Sequence, residues 1–209
     1  MQISSIQSNP YITATTSTSK NNVNSAKAID YSSLGLNEIK SLSYKEVKAN
    51  YDDIETSVYK IFNTLDTNEK EAKEAIDYLD VLSIAGKSPF SNNETVNQTF
   101  FNTATQITNP IDRMIFLSEV HQNLTDYVGG KNVQASFMVG DNVHVTEPLT
   151  KQQMNRINFD DFISKMLSNF GNDVATSGGS VKQQYQGIVD GYSLLKQNYD
   201  FQKSEPIYA

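Results

Sequence analysis

The feature that most constrains the fold is a run of apolar residues spaced alternately three and four positions apart between residues 44 and 65. This spacing puts the apolar side chains in one stripe, which predicts a long amphipathic α-helix. Ser43 and Glu46 have the spacing of a capping box, so we expect the helix to begin there. Such a stripe needs other helices to cover it. It consists of Tyr44, Val47, Tyr51, Ile54, Val58, Ile61 and Leu65.

Similar signals predict one short helix before this long helix and one longer helix after it. The segment "LNEIKSL" is a possible short helix with Asn37 as its cap. Asp66 and Glu69 form another capping-box pair, and Gly86 stops the helix that follows. The short connection predicts an antiparallel hairpin with the first long helix. The apolar positions of this second long helix are Ala72, Ala75, Ile76, Leu79 and Leu82.

Two further helices are predicted from amide caps. Asn93 or Thr95 would cap the first of them. The next has Asn109 at its cap, Pro110 at the first helical position and Asp112 in the first turn, and a Gly-Gly pair ends it. The first carries Val96, Phe100, Phe101, Ala104 and Ile107, and the second carries Ile111, Met114, Ile115, Leu117, Val120, Leu124 and Val128.

The C-terminal part predicts a short capped turn and two helices. Thr150 with Gln153 caps the turn, Asn158 caps a helix that ends at Gly171, and the last helix starts near Ser180 after a flexible connection. The apolar residues of the two helices are Phe159, Phe162, Ile163, Met166, Leu167 and Phe170, then Val181, Tyr185, Ile188, Tyr192, Leu195 and Tyr199.

The apolar period changes to two near residues 133–146, which predicts a β-hairpin around "GDN". The predicted fold class is therefore mainly α: an antiparallel bundle of about five to seven helices with one small β-hairpin and a disordered N-terminal tail. Residues 1–33 are predicted to be a disordered leader, because their few apolar groups cannot offset the entropy of ordering. Residues 34–209 are predicted to form a single helical domain.

Composition excludes several classes of function. The net charge of -7 disfavours nucleic acid as a partner, and the two arginines, Arg113 and Arg156, lie far apart in sequence. The lack of cysteine excludes disulfides, thiolate nucleophiles and cysteine-based metal sites. The longest clean apolar run, residues 114–117, is far shorter than the ~18 residues of a membrane-spanning helix, so we expect no transmembrane segment.

The residues that could carry chemistry do not form a known motif. His121 and His144 are the only histidines, and neither has the spacing of a zinc site. The doublets 52–53 and 160–161 each offer one carboxylate to a given site, because adjacent helical side chains point about 100° apart. We expect no enzyme, cofactor or metal site. One alternative stays open: a hydrolase or metal enzyme in which folding brings His121 or His144 to carboxylates.

Three tyrosines form a row on the last predicted helix. Tyr185, Tyr192 and Tyr199 are spaced by seven residues and so lie nearly in line on the last helix. Because tyrosine can bury its ring while its hydroxyl stays wet, the row suits either the core margin of the bundle or a face for self-association or a protein partner.

The leader "MQISSIQSNPYITATTSTSK" lacks the positive start and apolar core of a secretory signal and the arginine of a mitochondrial transit peptide. It is polar, with sparse apolar residues at Ile3, Ile6, Tyr11 and Ile12. In this it resembles the uncleaved N-terminal export signals of flagellar and type III secretion substrates. The resemblance implies passage through a secretion channel in an unfolded state.

The expected function is that of a bacterial protein exported by such an apparatus, secreted without a cleaved signal peptide and acting through protein–protein contacts rather than catalysis. Its expected partners are the export machinery, a chaperone or a host target. The alternative is a cytoplasmic helical adaptor or assembly chaperone whose disordered tail is incidental.

Overall fold

Helices make up most of the chain that the structure describes. The computed structural model describes residues 29–64, 70–131, 133, 135 and 149–204. The mainly α class is confirmed for these residues. Their helices are α1 (Leu36–Ser41), α2 (Tyr44–Ala49), α3 (Tyr51–Thr64), α4 (Lys70–Ala85), α5 (Glu94–Gln106), α6 (Pro110–Val128), α7 (Lys151–Met154), α8 (Phe159–Thr176) and α9 (Gly179–Ser204).

The predicted β-hairpin near residues 133–146 is not supported. Almost all of it lies outside the described residues. Only Val133 and Ala135 of this segment are described, and neither belongs to a strand.

The described body begins before the predicted boundary at residue 33. Tyr31–Ser33 form a single 3-10 turn. The Lys60 ammonium on α3 donates to the Ser32 carbonyl at 3.0 Å. The α1 cap also differs from the prediction: Gly35, and not Asn37, precedes the helix, and its N–H donates to Glu38 Oε2 at 2.8 Å.

The long helix predicted over residues 44–65 is broken at Asn50. The capping box of Ser43 and Glu46 is present as predicted. Asn50 has φ -129°, and its side-chain Nδ2 donates to the Glu46 carbonyl at 2.9 Å. The Glu46 carbonyl also accepts from the Asn50 backbone N–H at 3.1 Å, so Asn50 caps the end of α2 with both its backbone and its side chain. The stripe still faces inward on both sides of it, through the buried residues Tyr44, Val47, Tyr51, Ile54 and Val58.

Helices α3 and α4 form the predicted antiparallel hairpin. The start of α3 lies beside the end of α4, where Lys87 Nζ bonds to Glu55 Oε2 at 2.5 Å. A Cβ on Gly86 would lie 2.0 Å from Cδ2 of Tyr51, so the absent side chain lets the tyrosine ring pack on the backbone. The predicted cap of Asp66 and Glu69 lies outside the described residues.

Helices α8 and α9 form a second antiparallel hairpin. Phe170 and Tyr185 face each other near the turn with ring centroids 6.2 Å apart, and Phe159 and Tyr199 do so at the far end at 6.0 Å. The turn uses Gly179 at φ +57°, a conformation that glycine adopts without steric cost. Helix α8 does not end at Gly171 as predicted but continues to Thr176.

Aromatic rings join this hairpin to the other helices. The ring of Phe100 on α5 lies 5.9 Å from that of Phe159, and Phe116 on α6 lies 6.3 Å from Tyr192. Phe116 fits against Gly191, where a Cβ would approach its Cδ2 to 2.6 Å. Helix α6 therefore docks on α9 through one inserted ring, and this contact fixes which side of α6 faces outward.

Candidate protein-binding groove

Helix α6 begins as its sequence predicts. Asn109 caps it, and the Asn109 Oδ1 accepts hydrogen bonds from the backbone N–H of Ile111 at 2.9 Å and of Asp112 at 3.3 Å. Pro110 occupies the first turn, where its missing N–H has no cost. The predicted start of the helix is therefore correct, whereas the predicted inward face is correct only in part.

The inward face of α6 is largely polar. Phe116, Val120 and Leu124 are buried on this face together with five polar or charged residues. These five are Asp112, Arg113, Glu119, Asn123 and Asp126. The predicted stripe is therefore only partly right: Val120 and Leu124 face the core, whereas Ile111 is 62% exposed and Met114 is 58% exposed.

Arg113 ties α6 to the two helices beside it. Its Nη1 donates to the Ile107 carbonyl after α5 at 3.2 Å, and its Nη2 reaches the Asp77 carbonyl on α4 at 3.4 Å. The guanidinium carbon lies 5.5 Å from the ring centroid of Tyr78. Burial lowers the pKa of Arg113 and raises the pKa of Tyr78 to about 12. Arg113 stays charged even so, because its ordinary pKa is far above neutrality.

Asn123 sits deeper on the same face, against α9. Its Nδ2 donates to the Tyr192 hydroxyl at 2.8 Å, and both residues are completely buried. Burial raises the pKa of Tyr192, so the hydroxyl stays protonated. The bonds that Arg113 and Asn123 make to neighbouring helices favour this rotational setting of α6, because a buried polar group without a partner costs free energy.

The outward face of α6 and the neighbouring part of α4 form an open groove. Its narrower end has a volume of about 220 Å³, and the adjoining wider end about 510 Å³. Asp80, Met114 and Leu117 line both ends. We call this surface the α4–α6 groove and define it by the residues that line either end: Lys73, Asp77, Asp80, Ser83, Ile84, Ser88, Pro89, Phe90, Pro110, Ile111, Arg113, Met114, Leu117, Ser118, His121, Leu124, Leu149 and Met154.

The chemistry of the α4–α6 groove suits an apolar protein segment. Ile111 and Met114 project from its α6 side, and Phe90 lies at its wider end, stacked on Phe100 with centroids 4.2 Å apart. Its α4 rim carries charges of both signs, Lys73 and the carboxylates of Asp77 and Asp80. Contiguous exposed apolar surface with a polar rim is the usual character of a binding site for another polypeptide.

Of the two candidate histidines, the structure describes only His121. His121 is partly buried at the wide end of the groove, with its ring centroid 6.3 Å from that of Phe90. His144 lies outside the described residues. In the part of the chain that the structure covers, no three His, Asp or Glu side chains come together where they could hold a metal ion.

The acidic doublets take part in helix starts and surface contacts. Asp52 and Asp53 are exposed in the first turn of α3. In the first turn of α8, Asp160 pairs with Lys203 at 2.7 Å, and Asp161 accepts a hydrogen bond from the Tyr127 hydroxyl at 2.5 Å. Each carboxylate of the second doublet thus has its own structural partner, as side chains pointing in different directions would.

The tyrosine row lies in the core and does not form an exposed partner face. Tyr192 is 0% exposed and Tyr185 is 7% exposed, while Tyr199 is partly buried against Phe159. Since α9 turns this row toward α8 and α6, the partner-face alternative is corrected in favour of the core margin. The predicted leader residues Ile3, Ile6, Tyr11 and Ile12 lie outside the described residues.

Sequence reasoning missed the residues that orient α6. Asp112, Glu119, Asn123 and Asp126 recur seven, four and three positions apart, which is itself a helical period. On α6 this polar stripe runs beside an apolar stripe of similar length. Two stripes of this kind are the signal in the sequence that either of two faces of α6 could point inward.

Comparison of the chain with protein-family models, with curated proteins and with solved structures finds no match. Among the described helices, none is both long enough and apolar enough to cross a bilayer. The described part of the chain is an α-helical protein with an outward groove, partly apolar, between α4 and α6.

Proposed function

We propose that the protein acts without catalysis, by binding an apolar protein segment in the α4–α6 groove. One observation carries this proposal: α6 turns Ile111 and Met114 toward solvent while it buries charged and amide side chains. Exposing large apolar groups and burying polar ones both cost free energy. An arrangement that does both is best explained by a partner that covers the apolar side.

We further propose that the protein is bacterial and reaches its site of action through a flagellar or type III secretion apparatus, without a cleaved signal peptide. The support is the composition of the leader, which is polar and carries no charged side chain before Lys20. The groove would equally serve a cytoplasmic helical adaptor or assembly chaperone. The leader is therefore the feature that favours export over this second candidate.

A reporter fusion tests the export proposal. Residues 1–30 are fused to a reporter, and the culture supernatant is assayed in strains with and without a working export apparatus. We expect the reporter outside the cell only in the competent strain. A matched fusion in which Ile3, Ile6, Tyr11 and Ile12 are all replaced by serine keeps the length and the charged residues unchanged, and we expect its export to be strongly reduced.

Two results would count against this proposal, one against export itself and one against the four apolar residues as its signal. A reporter retained equally in both strains would contradict export and leave the adaptor or chaperone as the better account. Export of the serine variant at the original level would show that the four apolar residues are not the signal.

A further inference from the structure

We propose that the leader of this chain is itself an occupant of the α4–α6 groove, with residues 3–12 bound against the outward face of α6 in the same molecule. The inference rests on the proposed binding role of the groove and names the segment that the groove holds before any external partner arrives.

The groove sets the chemistry of its occupant. Its α6 side offers Ile111 and Met114, both more than half exposed. Its narrower end is lined by two cations, Lys73 and Arg113, and by two carboxylates, Asp77 and Asp80, so the opposite charges there balance. A strongly charged segment would find no complementary field on such a rim and would lose its hydration. An uncharged segment with aliphatic side chains would lose little and would gain the apolar contact.

The leader has this chemistry. Ile3 and Ile6 are three positions apart, and Tyr11 and Ile12 follow in the same uncharged stretch, which continues as far as Ser19. The residues between them are mostly serine, glutamine and asparagine, whose side chains can remain in water while the aliphatic ones are covered.

The length of the connecting chain allows the contact. Residues 13–28 separate Ile12 from Ile29, the first described residue, and these sixteen residues can span up to about 50 Å at ~3.3 Å per residue. A domain of this size has a radius of gyration near ~16 Å. The fully extended linker is therefore longer than such a domain is wide, so a contact between the leader and the groove of the same molecule is geometrically feasible.

The tether also decides between the chain's own leader and the leader of a second copy. A short linker gives its attached segment an effective concentration on the order of mM. Free copies at µM concentration would compete at a disadvantage of about a thousandfold. Occupation within one molecule is therefore favoured even when the intrinsic affinity of the leader is weak.

This arrangement would couple export through the leader to partner binding in the groove. A leader held in the groove is withheld from the export apparatus, and a partner bound in the groove releases the leader. Such coupling is reciprocal by thermodynamic necessity: whatever draws the leader away makes the groove available by the same factor.

Thiol labelling of the full chain tests the inference, because the protein has no cysteine of its own. Met114→Cys or Ser118→Cys places a single thiol in the groove, and its rate of reaction with an uncharged maleimide reports whether the groove is covered. We compare the unchanged leader with Ile3→Asp/Ile6→Asp and with the matched control Ser4→Asp/Ser5→Asp, which adds the same charge but keeps both aliphatic residues.

We expect Ile3→Asp/Ile6→Asp to raise the labelling rate about tenfold, as follows if the leader covers the groove nine-tenths of the time. The control Ser4→Asp/Ser5→Asp should change the labelling rate less than about twofold. A thiol at Val181→Cys, on α9 and not among the groove residues, should react at one rate in all three chains.

Three results would overturn the inference: equal groove labelling in all three chains, equal acceleration by both aspartate pairs, or protection that grows with protein concentration, which would indicate a second copy. The export fusion of residues 1–30 contains no groove. Its result is therefore independent of this one, and failure of either proposal can be told from failure of the other.

Discussion

Replacing Phe162 with alanine is expected to lower the free energy of unfolding by about 3–5 kcal/mol, the usual cost of deleting a buried aromatic ring. Phe162 is completely buried on α8. Its ring centroid lies 5.4 Å from that of Tyr127, 6.0 Å from Phe159 and 5.9 Å from Tyr192. The substitution therefore removes packing between α8, α9 and α6 at one point.

Urea denaturation followed by far-ultraviolet circular dichroism measures this loss. Phe201→Ala is the matched control, because the same side chain is 37% exposed near the end of α9. We expect the control to cost about 1 kcal/mol or less. Equal losses at the two positions would contradict the placement of Phe162 at the centre of the aromatic core.

The second large effect is expected at the buried pair that links α6 to α9. Tyr192→Phe removes only a hydroxyl, but it takes away the acceptor of the Asn123 amide. Within the described part of the chain, the Asn123 Oδ1 already has no hydrogen-bond partner. The variant would thus leave the amide wholly unsatisfied in the core, and we expect a loss of about 1–3 kcal/mol.

A double variant separates this cause from simple loss of packing. Adding Asn123→Leu to Tyr192→Phe removes the stranded amide and fills its space with an apolar group of similar size. We expect the double variant to regain at least about 1 kcal/mol relative to Tyr192→Phe, because replacing both partners can be nearly neutral. If the losses of Tyr192→Phe and Asn123→Leu simply add in the double variant, then Tyr192→Phe does not leave the Asn123 amide unsatisfied.

Most helix starts could be predicted from the sequence because they are decided by neighbouring residues, although α1 begins after Gly35 and not after Asn37. Asn93, Asn109 and Asn158 cap α5, α6 and α8 as expected, each through its side-chain oxygen and a backbone N–H within the first turn. Such bonds form inside a few residues and need no tertiary contact. The starts of α6 and α8 could therefore be predicted from local sequence, and the start of α5 could be narrowed to Asn93 or Thr95, of which Asn93 is the cap.

Helix ends and breaks were less predictable because packing overrides local preference. Gly171 was expected to end α8, but a glycine inside a helix costs only about 1 kcal/mol relative to alanine. The contact of Phe170 with Tyr185 and Tyr192 outweighs this cost, and α8 continues. At Asn50 the reverse occurs: the backbone leaves the helical conformation at φ -129°, although the apolar stripe on either side of it is unbroken.

The groove could not be predicted from one helix alone. Helix α6 has two candidate inward faces, and the choice between them depends on Tyr192, Ile107 and Asp77, which lie on or beside other helices. The tyrosine row shows the same limit. Its alignment on α9 was readable from the spacing, whereas its burial depended on the position of α8.

The rotational setting of α6 is the central claim, and the stability of two lysine variants tests it most directly. Met114→Lys places a charge on the outward face, and we expect it to lower the free energy of unfolding by less than about 1.5 kcal/mol. Phe116→Lys places the same charge against Gly191 and Tyr192, and we expect a loss of more than about 3 kcal/mol or failure to fold. If Met114→Lys is the more damaging variant, α6 faces the other way and the α4–α6 groove does not exist as described.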